Sequence, residues 1–174
     1  MAILPILIAP DKRLKTKAPP VSEIDDEVRR LMDDMLETMY AAPGIGLAAT
    51  QVGVLQRVIV IDLADPEENE PPAPMRIANP EIVWRSETLK VYNEGCLSIP
   101  EIYADIERPE AVEVSYLDET GERRTVKADG MLATCLQHEI DHLDGVLFTD
   151  YLTALKRNMI MRKLEKQKKA GEFD

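Results

Sequence analysis

The chain has 174 residues, 45% of them hydrophobic and 30% charged, the proportions of an ordinary globular protein and not of a disordered one. That length suits one domain with a real core, and a formal net charge of −11 argues against whole-surface attraction to nucleic acid or anionic membranes. The two cysteines, Cys96 and Cys135, form neither a C-x-x-C pair nor a disulfide framework, which fits a reducing compartment.

Residues 1–9 are apolar but short, are broken by Pro5 and lack a basic lead, so they are expected as an arm tucked against the core and not as a signal peptide. No run approaches the length of a membrane span. Pro10, Pro19 and Pro20 predict an extended stretch over 10–20. Ser22, with Asp25 three residues on, reads as the start of a helix. Ile24, Val28, Leu31, Met32, Met35, Leu36, Met39 and Tyr40 then recur at three- and four-residue spacing, an amphipathic helix of about five turns that Pro43 and Gly44 end. Its methionines read as core filler.

From Gly46 onward the pattern is that of strands. Residues 57–63 form a β-rich run expected to be buried on both faces, and 65–74 a polar, proline-rich, exposed loop. Further strands are expected at 76–78, 82–85, 111–117 and 123–127, with residues 118–121 as the turn of a hairpin between the last two. A second helix is expected from the N-cap Asp129 to Leu143, stopped by Gly145, and a third over 152–169. The expected class is α+β: largely antiparallel sheets packed around the second helix, with N-terminal and C-terminal helices, in a single domain spanning 1–174.

The strongest chemical signal lies on the second helix, where Gln137, His138, Glu139, Ile140, Asp141 and His142 contain an H-E-x-x-H pattern. Four residues is little more than one helical turn, so both histidines project from one face and reach one ion. Glu139 is placed to take a proton from a water on that ion. Chance matches of this pattern occur, but these are the only two histidines in the chain. A catalytic metal usually has three protein ligands, and the third here cannot be histidine. Cys135 lies seven residues before His142, about 10 Å along the axis, and reads as a small apolar wall residue. Cys96 follows Gly95 in a segment unlike a buried strand, and its thiolate would complete a His₂Cys site. A merely packed thiol is the plainer reading of Cys96, and Asp150 and Glu165 are the other ligand candidates.

Residues 44–53 combine glycines with small side chains, which lets backbone approach a neighbour or a ligand closely, though without the spacing of a phosphate loop. Gln51 in this stretch could donate an amide hydrogen to an oxyanion or simply cap a strand end.

These three segments, 44–53, 94–98 and 137–143, resemble the signature segments of the peptide deformylase family, in order and at similar spacing. The similarity extends through 57–62, Asn79 and Pro80, and 145–148, and the loop at 65–74 is the least characteristic part. The short length and helical tail resemble the bacterial and organellar branch. The resemblance implies a hydrolase that removes the N-formyl group from the N-terminal methionine of nascent polypeptides in a bacterial cytoplasm, releasing formate. It implies Cys96, His138 and His142 as metal ligands, Glu139 as general acid/base, and Gln51 with the Leu97 backbone N–H as oxyanion donors. Ile45, Glu94, Met131, Thr134 and Cys135 would shape the pocket for the methionine side chain, beside Gly44, Gly46 and Gly95 of the same segments. Many relatives carry an arginine seven residues after the ligand cysteine, where this chain has Tyr103. The resemblance suggests iron(II), with zinc, nickel or cobalt as substitutes.

Lys156, Arg157, Arg162, Lys163, Lys166, Lys168 and Lys169 are opposed only by Glu165, so the basic C-terminal helix is a candidate contact for the ribosome near the peptide exit. A solvated helix face is the plainer alternative. Two other readings compete: an H-E-x-x-H endopeptidase with Glu165 as third ligand, and a non-catalytic, metal-stabilised ribosome-binding protein.

Overall fold

The computed structural model describes residues 2–171. Residues 2–9 form the expected arm, tied down along its length: the Leu4 N–H donates to Thr38 Oγ1 (2.8 Å), the Leu7 N–H to the Gln51 carbonyl (2.7 Å) and the Ala9 N–H to the Ser98 carbonyl (2.9 Å). The stretch expected to be extended contains a 3₁₀ turn at Lys12–Lys15, because the Asp11 carboxylate caps it by accepting from the Arg13 N–H.

Helix α1 runs over Asp26–Ala41 and starts later than Ser22 suggested. Asp25 is the true cap: its backbone is extended and its carboxylate accepts from the Val28 N–H at 2.9 Å. Asp26 and Glu27 then place negative charge at the positive end of the helix dipole. Val28, Met32, Met35, Leu36 and Met39 form its buried face.

Five strands make one antiparallel sheet in the order β1 (Gly46–Ala48), β2 (Val58–Ile61), β3 (Met75–Arg85), β6 (Ala111–Leu117) and β7 (Arg123–Asp129). Strand β2 is buried on both faces, as its composition requires. Val58 and Val60 pack with the methionines of α1, while Ile59 and Ile61 pack with Leu136, Ile140 and Leu143 of helix α2 (Gly130–Leu143). The sheet therefore lies between α1 and α2. The two strands expected at 76–78 and 82–85 are one strand with a register shift, made where Asn79 takes a left-handed backbone (φ 48°) and its amide exchanges hydrogen bonds with Val21.

A second, two-stranded sheet pairs β4 (Leu89–Cys96) with β5 (Ile99–Pro109), a hairpin the sequence pattern did not reveal. Its buried Ile99 and Ile106 join Ala9, Leu14, Phe148 and Leu164 in a third apolar cluster. Leu164 belongs to helix α3, which spans Ala154–Lys169 and is capped by Thr153. The β6–β7 turn is as expected, with Asp118 accepting from the Thr120 N–H (2.9 Å). The whole is α+β, and α2 enters the space between the two sheets carrying the H-E-x-x-H residues.

Candidate metal centre and active site

Helix α2 is buried along nearly its whole circumference, which is why His138, Glu139 and His142 are all shielded from solvent. Its last turn is anchored by Thr50, whose hydroxyl donates to the His142 carbonyl at 3.2 Å. Cys96 ends β4, and Leu97 and Ser98 form the turn into β5. The hairpin thereby brings Cys96 Sγ to 3.3 Å from His142 Nε2. One donor atom each from Cys96, His138 and His142 lies within 4.8 Å of the others, the one such cluster found among the described residues. A cation held about 2.0 Å from nitrogen and 2.3 Å from sulfur needs tetrahedral ligand separations of roughly 3.3–3.5 Å, the spacing at which Cys96 and His142 already stand, and the chemistry of the three donors suits one ion. Asp150 and Glu165 are placed elsewhere: Asp150 pairs with Lys15 and accepts from the Leu147 N–H, and Glu165 sits exposed on α3 beside Lys169.

His138 is oriented by its surroundings. His138 Nδ1 lies 2.9 Å from Glu94 Oε1, which leaves Nε2 for the site. Burial, and then the neighbouring His138, hold His142 well below its ordinary pKa, so it is the neutral imidazole that metal binding requires. Burial alone would raise the Glu94 carboxyl, but hydrogen bonds from His138 and Arg108 overcome this and keep it ionised. Arg108, itself buried, grips Glu94 through two bonds of 2.6 and 3.0 Å.

Glu139 is different. Among the described residues it has no ion-pair partner and its Oε1 is buried without a hydrogen bond, and burial pushes its pKa up to about 7. Such a carboxyl exchanges protons near neutrality. Gly46 makes room for it: a Cβ there would stand 2.6 Å from Glu139 Oε2 and 2.9 Å from Cys135 Sγ. Gln51, in the 3₁₀ turn after β1, accepts from the Ala48 N–H through Oε1 (2.9 Å). Its Nε2 therefore faces the site, 3.1 Å from Ser98 Oγ and 3.5 Å from Cys96 Sγ.

Gln51, Cys96, His138 and Glu139 border a cavity of about 680 Å³. Gly44, Ile45, Gly46 and Gln51 contribute one side, Gly95, Cys96 and Leu97 another, and Met131, Thr134, Cys135, His138 and Glu139 the helix side. Burial pushes the Cys135 thiol up, so it stays protonated as part of the apolar wall. Glu94 also lines the cavity, while its carboxylate is engaged by His138 and Arg108.

The polypeptide deformylase model matches residues 3–158. The chain is 61% identical over 170 residues to the peptide deformylase of Methylocella silvestris, covering 97% of this chain and 87% of that one. The crystal structure of peptide deformylase from Ehrlichia chaffeensis superposes with a TM-score of 0.92 at 41% identity, covering 99% of this chain and 100% of that one.

The chain belongs to the polypeptide deformylase family.

The family is one of metal-dependent enzymes that act on formylmethionyl peptides. A Met-Ala-Ser-bound deformylase from Acinetobacter baumannii is also similar, with a TM-score of 0.80 and 35% identity over 87% of this chain and 99% of that one. Where many deformylases carry arginine, Tyr103 lies across Gly95, whose missing side chain the ring replaces: a Cβ there would be 2.4 Å from the ring. Sequence reasoning passed over Arg108, Asp141 and Ser98, and the arm residues Ile6 and Ile8 that border the cavity. Asp141, inside the H-E-x-x-H segment, and Ser98, at the end of segment 94–98, carried a local signal. Among the described residues, no helix is long and apolar enough to cross a membrane.

Proposed function

We propose that this deformylase family member hydrolyses the formamide bond of N-formylmethionyl peptides, with Cys96, His138 and His142 holding one divalent ion. The convergence of those three donors, beside a cavity that the buried Glu139 carboxyl also lines, carries this reading. Bound there, a divalent ion would acidify water and polarise the formyl oxygen. His₂Cys donors suit iron(II), zinc, nickel and cobalt, and iron(II) is the working ion we propose.

The protein's own groups do the rest. Glu139 takes the proton from the attacking water and returns it to the leaving amine, a role worth about 10²–10⁴ in rate. The Gln51 amide and the Leu97 backbone N–H stabilise the developing oxyanion, at about 3 kcal/mol per donor. Ile45, Met131, Thr134 and Cys135 take the methionine side chain, with Gly44, Gly46 and Gly95 lining the same substrate cavity. A formyl carbon bears only hydrogen beside its carbonyl, so a tight site rejects acetylated substrates by exclusion; turnover of acetyl-Met-Ala-Ser would count against this. The Acinetobacter baumannii relative with Met-Ala-Ser bound supports the substrate class.

The exposed Lys156, Arg162, Lys163 and Lys166 of α3 meet the ribosome in this reading, in a bacterial cytoplasm. Truncating α3 would not test it, because Leu164 belongs to the core. Reversing charge at Lys163 and Lys166 should abolish salt-sensitive ribosome binding and spare hydrolysis of short peptides.

The activity is tested by formate release from formyl-Met-Ala-Ser, using anaerobically purified, iron(II)-loaded protein beside Glu139→Ala. Rapid release that disappears in the variant is expected. No release from the loaded wild type would overturn the assignment.

A further inference from the structure

The contacts that orient His138 do not stop at Glu94. Arg108 spends Nε and Nη2 on the Glu94 carboxylate and donates from Nη1 to Asp141 Oδ2 at 2.8 Å. The same Asp141 oxygen accepts from the Tyr151 hydroxyl at 2.7 Å. The Arg108 guanidinium carbon also lies 4.9 Å from the centre of the Tyr151 ring. Tyr151 closes the 3₁₀ turn Phe148–Tyr151 just before α3 and is 52% exposed, so it is the outermost member of the network.

We propose that Tyr151 and Asp141 are positioning residues for the metal centre, fixing His138 through Arg108 and Glu94. Glu94 Oε1 contacts both His138 Nδ1 and Arg108 Nη2, so the plane of that carboxylate sets the direction of the imidazole. A planar guanidinium held by a two-point fork can still tilt. The bond to Asp141 adds a third anchor, and the Tyr151 ring covers one face. The fork itself is shielded from solvent, where a lower local dielectric strengthens each bond. Asp141 sits one residue from His142, so the same network grips α2 between its two histidines.

The inference rests on the reading that Cys96, His138 and His142 hold a divalent ion. Direct partners of ligating histidines typically account for about 10–100-fold in metal affinity, and Tyr151, which reaches Glu94 only through Arg108, belongs at the lower end. The test compares full-length wild type with Tyr151→Phe, which keeps the ring over Arg108, and Tyr151→Leu, which removes ring and hydroxyl together. Zinc dissociation constants are measured from the zinc-loaded proteins by competition with a chromophoric chelator. Visible spectra of the cobalt(II)-loaded proteins report the ligand field. Expected are a zinc Kd raised about 10-fold in Tyr151→Leu and less in Tyr151→Phe, altered cobalt bands in Tyr151→Leu, and a lower kcat at little-changed KM. A Tyr151→Leu protein with wild-type zinc affinity and an unaltered cobalt spectrum would overturn the inference and leave the metal centre standing. A wild type that binds neither ion would overturn the metal centre itself.

Discussion

Helix α2 carries His138, Glu139 and His142 within little more than one turn, whereas the β4–β5 hairpin brings Glu94, Cys96 and Arg108 together only through the pairing of two strands. On the helix, geometry follows from spacing alone, because residues four apart share a face. On the hairpin, geometry depends on register: Cys96 pairs with Ile99, while Gly95 already pairs with Tyr103, and the extra residues bulge toward the cavity. In the proposed reading the helix supplies reacting and ligating groups, and the hairpin supplies one ligand and the buried ion pair beside a helix histidine. A site split in this way should fail differently when each half is damaged.

The largest effect is expected in the hairpin half. Arg108→Met leaves the Glu94 carboxylate buried without its charge partner, a loss of about 3–5 kcal/mol. Thermal unfolding should show a midpoint lowered by roughly 10 °C. A midpoint within a degree or two of wild type would mean that the fork contributes nothing to the fold.

Where the two halves meet the β1 edge, a smaller but more selective effect is expected. In Gly46→Ala the new methyl would press on Glu139 Oε2 and Cys135 Sγ. Displacing a catalytic group by about 1 Å costs on the order of 10²-fold in rate. Peptide kinetics should show that loss in kcat with metal content retained; full activity would mean that the Glu139 position seen here is not the working one.

Outside both halves, Tyr40 provides a contrast with the smallest effect. Burial first, then its hydrogen bond to Asp62, pushes its pKa from 10.0 up to about 12. The folded state therefore favours the protonated phenol. That stabilisation is fully present below pH 10.0 and is lost as pH rises through about 12. Denaturant unfolding across this window should fall less steeply for Tyr40→Phe, which at neutral pH costs about 1 kcal/mol. Identical pH slopes would remove Tyr40 from the alkaline transition.

The same contrast explains what could be read from the sequence. The end of α2 at Leu143, the doubly buried β2 and the amphipathic α1 followed from periodicity, and the H-E-x-x-H pair followed from helical spacing. The hairpin did not, because β4 and β5 mix exposed Val91, Asn93, Asp105 and Glu107 with buried Glu94 and Arg108, leaving no clean alternation of apolar and polar residues. Nothing in the sequence around Arg108 sets it apart from a surface charge, and only its burial against Glu94 gives it meaning. Ser22 was a plausible cap that lost to Asp25, three residues further on, where the carboxylate reaches a free helix N–H.

The most direct test of the joined site is X-ray absorption at the metal edge of the zinc-loaded protein. The account predicts one sulfur at about 2.3 Å and two imidazole nitrogens at about 2.0–2.1 Å, with the sulfur lost in Cys96→Ala. A shell of nitrogen and oxygen alone in the wild type would contradict it, because the helix would then bind metal without the hairpin.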